Sequence, residues 1–308
     1  MSRPFESEHD ALLNALMLQR KLAVNPPPPV PLLPFKNSLE DLLRDAMVFP
    51  PAKSTLPMLE PTKPNPFAYP KPTNLNEELT ADVNQIIYRW LNIQEGRVVP
   101  TPEAVALVGG ATKLEATFLY ADLANSSILA SEFDHSTTAK IIRAFLLSMS
   151  KLITQHGGKI VSFDGDRVLG VFVGPRKNTM AVKCALKMRY AVENIINHKF
   201  QAHFSKLGQR PFDIIHGVGI DSGQVLIVRV GHKGSNDLSW IGRAPNLAAK
   251  LSSVRETDYK LYISEAVFVD IDGSLKNAPD GEMLWEYLTF SFGGDQVPVY
   301  RTKHRLAF

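Results

Sequence analysis

Asp122 and Asp166 are the acidic residues best placed to do chemistry together in this chain. Asp122 ends the apolar, β-rich run ATFLYAD (116–122), and Asp166 lies in Asp164-Gly165-Asp166-Arg167, between the short apolar runs KIVSF and VLGVFV. Asp-Gly supplies the positive φ that a tight turn needs, so the second acid is expected on a hairpin. If that hairpin neighbours the first strand, both carboxylates meet at one sheet edge. Two carboxylates that leave coordination positions open suit Mg²⁺, which keeps water and takes phosphate oxygens. Two ions held that way can activate one oxygen and stabilise another during in-line displacement. The same residues also suit a strand-end turn and a plain hairpin, and spacing alone does not choose between the two.

The surrounding pattern supplies the elements that must position them. After the 116–122 strand, Ile141, Ile142, Phe145, Leu146, Met149, Leu152 and Ile153 recur at helical spacing within 134–155. The hairpin follows, then a second helix over about 178–196 carrying Val182, Leu186, Val192, Ile195 and Ile196. Two strands, FDIIHGVGID and VLIVRV, come next, then LSWIG and a helix near Pro245, a residue suited to a first helical turn. The order β-α-β-β-α-β predicts an α+β, ferredoxin-like domain over 98–308, an antiparallel sheet with helices on one face. That fold hosts many chemistries and decides none.

Upstream the composition changes. All 19 glycines lie at or after Gly96, and 15 of the 22 prolines precede residue 75. PPPPVPLLP and PTKPNPFAYPKP favour an extended polyproline path, because proline fixes φ and lacks a donor. Residues 1–73 therefore read as a proline-rich extension, with short helices expected behind Ser7 and Ser38. Residues 74–97 read as a helical arm. Asn74 with Glu77 makes a capping box, Leu75, Leu79, Val83, Ile86, Ile87 and Trp90 share a face, and Gly96 stands as the C-terminal cap. Such an arm packs on its own domain or pairs with its copy, and periodicity favours the first.

Bulk properties narrow the function classes. Apolar content is 44%, charged content 21% and net charge +3, too weak to argue for nucleic acid. Cys184, the single cysteine, falls in a helical pattern and reads as a core residue. No run approaches the length of a membrane span, and the start carries no secretory pattern, so a cytoplasmic protein is expected.

Four motifs then carry a resemblance. FLYADLANSS, GGKIVSFDGDRVLGVF, HGVGIDSGQVLIVRVG and SWIGRAPNLAAKL resemble, in order and spacing, the motifs of class III nucleotide cyclases, over about residues 103 to 270. The resemblance implies two divalent metal ions, Mg²⁺ or Mn²⁺, held by Asp122, Asp166 and the backbone carbonyl of Leu123. It implies a homodimer with sites at the subunit interface, where Asn246 and Lys250 of one chain face the acids of the other. The ribose 3′-hydroxyl of a nucleoside triphosphate would attack the α-phosphorus and release pyrophosphate. Arg243 would add a further nucleotide contact. The family usually has arginine at the Lys250 position; lysine keeps the charge and loses the fork.

Departures from the family pattern fall around the base. Ser162 and Ser239 stand where purine-specific members carry their base-reading pair. Arg167 replaces a small residue beside Asp166, and Tyr120 lies two residues before Asp122. A smaller pocket with fixed donors suits a pyrimidine. With YISEAVF, the set looks most like the bacterial pyrimidine cyclases of Pycsar anti-phage systems, which make cyclic CMP or cyclic UMP to switch on a separate effector. That implies CTP or UTP as substrate. An adenylate or guanylate cyclase, or an inactive nucleotide-binding module, are the alternatives.

Overall fold

The computed structural model describes residues 74–206 and 212–308. The proline-rich run and the helices expected behind Ser7 and Ser38 lie outside them. The chain enters through α1 (Leu75–Tyr88), where Asn74 caps as expected: its side-chain oxygen accepts from the Glu77 amide at 3.1 Å. No residue of α1 is buried; Leu79 is 54% and Trp90 92% exposed. The expected packing of this arm on its own domain is therefore not found. The arm is also shorter than expected. Arg89 turns extended, and β1 (Asn92–Glu95) pairs in parallel with the start of β2 (Gly110–Leu123). Gly96 is no helix cap; it follows β1, where a Cβ would stand 2.6 Å from Thr112 Cγ2.

After β2 come α2 (Ser126–Glu132), which periodicity did not reveal, and α3 (His135–Gln155). Asp134 caps α3 by accepting from the amides of Ser136 and Thr137, a contact worth about 1 kcal/mol. The hairpin forms as expected from β3 (Lys159–Asp164) and β4 (Arg167–Phe172), with Asp164 paired to Arg167 and Gly165 at φ +60°. The next helix, α4 (Lys177–Tyr190), carries buried Cys184 and runs through a π-helical segment (Ala191–Ile196) into α5 (Asn197–Lys206). Then β5 (His216–His232) pairs with β6 (Ser235–Ile241). The two strands expected between 212 and 230 are one: Asp221, Ser222 and Gly223 stay in register with Phe118, Thr117 and Ala116, and Phe212–Ile215 precede the strand. The chain closes through α6 (Arg243–Ser252), β7 (Leu261–Ser264), α7 (Glu265–Asp270), α8 (Gly273–Lys276), β8 (Glu286–Phe292) and β9 (Asp295–Thr302).

The sheet runs β3-β4-β2-β5-β7-β9-β8, with β1 on β2 and β6 on β5. Its first four strands in that order, with α3 and α4, make the expected ferredoxin-like unit. Side chains of β2 alternate between faces. Leu119, Ala121 and Leu123 pack with Ile141, Phe145 and Met149 of α3 and Val182 and Leu186 of α4. Phe118 and Ala116 pack oppositely, with Val225, Ile227, Ala244 and Ala248. Helices on one face alone are thus not what forms, because α6 covers the other. Its Ala244, Leu247, Ala248 and Leu251 are buried, and two glycines of β5 admit it. A Cβ on Gly219 would lie under 3.0 Å from the Ala248 carbonyl oxygen and the Ser252 nitrogen.

Candidate active site

The acids meet where β2, β4 and β5 run side by side. Asp122 stands opposite Arg167 on one side and Gly217 on the other. The next residue, Leu123, donates its amide to the Asp166 carbonyl at 3.4 Å, which brings the Asp166 backbone against the end of β2. The expected neighbourhood of the two residues is thus found at the level of the backbone, at the ends of adjacent strands. Asp122 is 5% exposed and Asp166 half-buried.

Asp122 is held by two guanidinium groups. Arg255 Nη2 donates to Oδ2 at 2.5 Å, and Arg167 donates through Nε at 3.3 Å and Nη2 at 3.4 Å. Arg255 was not legible in the sequence; it follows α6 by three residues and returns across the empty side of Gly217, where a Cβ would stand 2.6 Å from its Nη1. Arg167 also reaches Ser253 Oγ at 3.4 Å and stands over the Tyr120 ring at 5.9 Å. Its donors therefore meet Asp122 and Ser253 here. Burial, the largest influence, raises the Tyr120 phenol above its usual range and keeps it a neutral hydroxyl. Ser162 pairs with Leu169, itself opposite Tyr120, so these three form one row across β3, β4 and β2.

The other expected site residues sit elsewhere. Asn246 and Lys250, one turn apart, are exposed on α6, and the Asn246 amide donates to the Gly242 carbonyl at 2.9 Å. It is the segment just past the end of α6 that reaches the acid cluster, Ser253 through Arg167 and Arg255 directly. Asn246 lies seven residues earlier, about 10 Å along the axis at 1.5 Å per residue. Arg243, at the helix start, pairs at 3.8 Å with Oδ2 of Asp221, which is fully buried and beyond hydrogen-bond reach of that guanidinium. Burial raises the Asp221 carboxyl above the ordinary range. Ser239 lies on β6 opposite Val228, next to Trp240, which packs edge-on against Phe118.

Behind the acids, His216 is paired in register with Leu123 and is buried, with Nε2 unpartnered. Burial, reinforced by Lys260, Arg189 and Arg255, pushes its pKa down to about 3, so the ring is neutral.

The donor set fits divalent cations. Among the described residues no group of three or more His, Cys, Asp or Glu could cage a metal. An ion here would rely on two carboxylates, backbone oxygen, water and substrate, the habit of Mg²⁺. The guanidinium groups on Asp122 show that this carboxylate attracts positive charge.

Residues 111–276 match the model of the adenylate and guanylate cyclase catalytic domain. The chain belongs to that family. Members of this family use divalent metal ions. The cyclase is 42% identical to a uridylate cyclase from Rhodovulum sp. (strain MB263) over 75% of its own length and 97% of the relative's. It is 33% identical to another from Xanthomonas perforans over the same shares. Among solved structures, the guanylyl cyclase Cya2 superposes with a TM-score of 0.52 at 21% identity, covering 63% of this chain and 93% of that one. That likeness bears on the fold alone. No described helix is long and apolar enough to cross a membrane.

Proposed function

We propose that this cyclase converts UTP to cyclic UMP and pyrophosphate in a site shared between two copies of the chain. The observation that carries the pyrimidine reading is the Tyr120–Arg167 pair beside Asp122: an aromatic ring and a guanidinium stand 5.9 Å apart where the family commonly has a small residue. The similarity to uridylate cyclases favours UTP over CTP.

The chain's own residues divide the work. Two divalent ions, when bound by Asp122, Asp166 and the Leu123 carbonyl, would supply the positive charge that makes a 3′-hydroxyl acidic and steadies the α-phosphate. Asn246 would orient the ribose, and Lys250 would meet charge on the α-phosphate. The 3′-oxygen loses its proton and bonds to the α-phosphorus as the bond to pyrophosphate breaks. Tyr120, Arg167, Ser162 and Ser239 would bound the base, with Arg243 near the entrance. Exposure of Asn246 and Lys250 away from their own acids supports a site completed by a second copy. The cyclic nucleotide would act on a separate effector, in anti-phage defence.

Incubating the purified chain with each of the four triphosphates and Mn²⁺, and separating products by chromatography, tests this reading. Cyclic UMP should dominate. Preferential cyclisation of ATP or GTP would end the pyrimidine assignment.

A further inference from the structure

We infer that Arg255 is a positioning residue, a built-in counter-ion that occupies Asp122 until a metal ion displaces it. The inference rests on Asp122 being a metal ligand. Asp122 is nearly buried, and a buried carboxylate without a partner is costly. The close contact is the 2.5 Å bond from Arg255; the Arg167 contacts are longer, at 3.3 and 3.4 Å. A divalent ion on the same oxygen, at about 2.1 Å, would lie within roughly 4.6 Å of the Arg255 nitrogen. Two positive centres that close repel, and a lone pair cannot serve both along one direction. Metal entry is therefore opposed while Arg255 stays in place, and its withdrawal favours the ion.

The surroundings give it somewhere to go. Arg255 Nη1 donates to the carbonyls of Ser252 at 2.5 Å and Val254 at 3.2 Å, so withdrawal must either turn Nη2 off Asp122 about these bonds or give them up. It also lines a cavity of about 660 Å³ whose wall includes Glu193, Asp213 and Glu256. Those carboxylates already hold Arg189 and Arg305 (Glu193), Gln201 (Asp213) and Arg301 (Glu256), so a displaced guanidinium would share them through their remaining lone pairs. Gly217 makes the arrangement possible, since any side chain there would collide with Arg255. In consequence, the nucleotide-free protein binds metal more weakly than its acid pair allows.

The test is calorimetric titration of the nucleotide-free full-length protein with Mn²⁺. Arg255→Gln should bind Mn²⁺ roughly tenfold tighter than the unsubstituted chain, because a charge-assisted hydrogen bond no longer competes. Arg255→Lys, which keeps the charge and loses the fork, should fall between them and guards against a folding defect in the first variant. Asp122→Asn should abolish the high-affinity event. Equal or weaker binding by Arg255→Gln, with Asp122→Asn still inactive in binding, overturns the counter-ion role and leaves the metal assignment standing. Unchanged binding by Asp122→Asn overturns both.

Discussion

Gly219→Ala should be among the most damaging small substitutions available, although it adds only one methyl group far in sequence from both acids. The new Cβ would stand 2.7 Å from Leu251 Cβ and under 3.0 Å from the Ala248 oxygen and Ser252 nitrogen. Two of those three atoms are backbone, which cannot rotate aside. Regaining contacts near 3.4 Å means lifting α6 off β5 by roughly 1 Å, a gap that forfeits a quarter to a half of each contact's attraction. Two leucines and two alanines of α6 are buried, together worth about 7 kcal/mol. The expected loss is about 2–3 kcal/mol, or about a 5–10 °C fall in melting temperature for a domain of this size. Because α6 also carries Asn246 and Lys250, a shift of about 1 Å should cost turnover on the order of 100-fold. Thermal melts followed by circular dichroism, with product assays on the same samples, measure both. Gly223→Ala is the control: on the same strand its Cβ would lie 3.7 Å from Ala244 Cβ, an ordinary contact, so it should cost under about 1 kcal/mol. If Gly219→Ala melts and turns over like Gly223→Ala, the close approach of α6 is not what holds that face.

Asp122→Ala and Asp166→Ala should each abolish cyclisation, and mixing Asp122→Ala with Asn246→Ala chains should restore up to about a quarter of full activity, since random pairing puts one intact site in half the dimers; verified mixed dimers without recovery would place each site within one chain. Arg167→Ala should lower UTP turnover by roughly 100-fold by deleting a charged donor beside the base, and retention of both rate and base preference would make Arg167 only a partner of Asp122. Stability should depend on pH through His216. Its folded pKa of about 3 lies below the ordinary 6.5, so the unfolded chain binds the extra proton between those values. Stability should therefore be fully present above pH 6.5 and be lost as pH falls toward 3, by up to about 1.4 kcal/mol per pH unit. Urea titrations from pH 7 to 4 should show a shallower slope for His216→Phe, and an identical slope would mean the imidazole is hydrated.

Several features were legible because their causes are local. A turn between Asp164 and Arg167 needs a positive φ, and Gly165 provides it; a helix start needs a side-chain acceptor, and Asn74 provides one. Strand and helix periods in β2, α3 and α4 follow from which residues must leave water, and that alternation, with the order of elements, was enough to anticipate the ferredoxin-like unit and to set the hairpin that carries Asp166 beside the strand that ends at Asp122. Motif order in turn pointed to the cyclase family. Other features depend on partners that the sequence keeps far apart. Gly217 and Gly219 look like strand irregularities until α6 is seen lying on them, so periodicity could not assign α6 to the second face. β5 reads as two strands because Asp221-Ser222-Gly223 has low strand propensity, and only pairing with Ala116–Phe118 keeps it continuous. The apolar stripe of α1 is visible in the sequence, but its exposure is not, since burial depends on what the rest of the chain brings near. Arg255 meets Asp122 across 133 positions. No local energy term prefers that contact; it exists because the end of α6 is delivered over a glycine beside a carboxylate that needs a counter-charge.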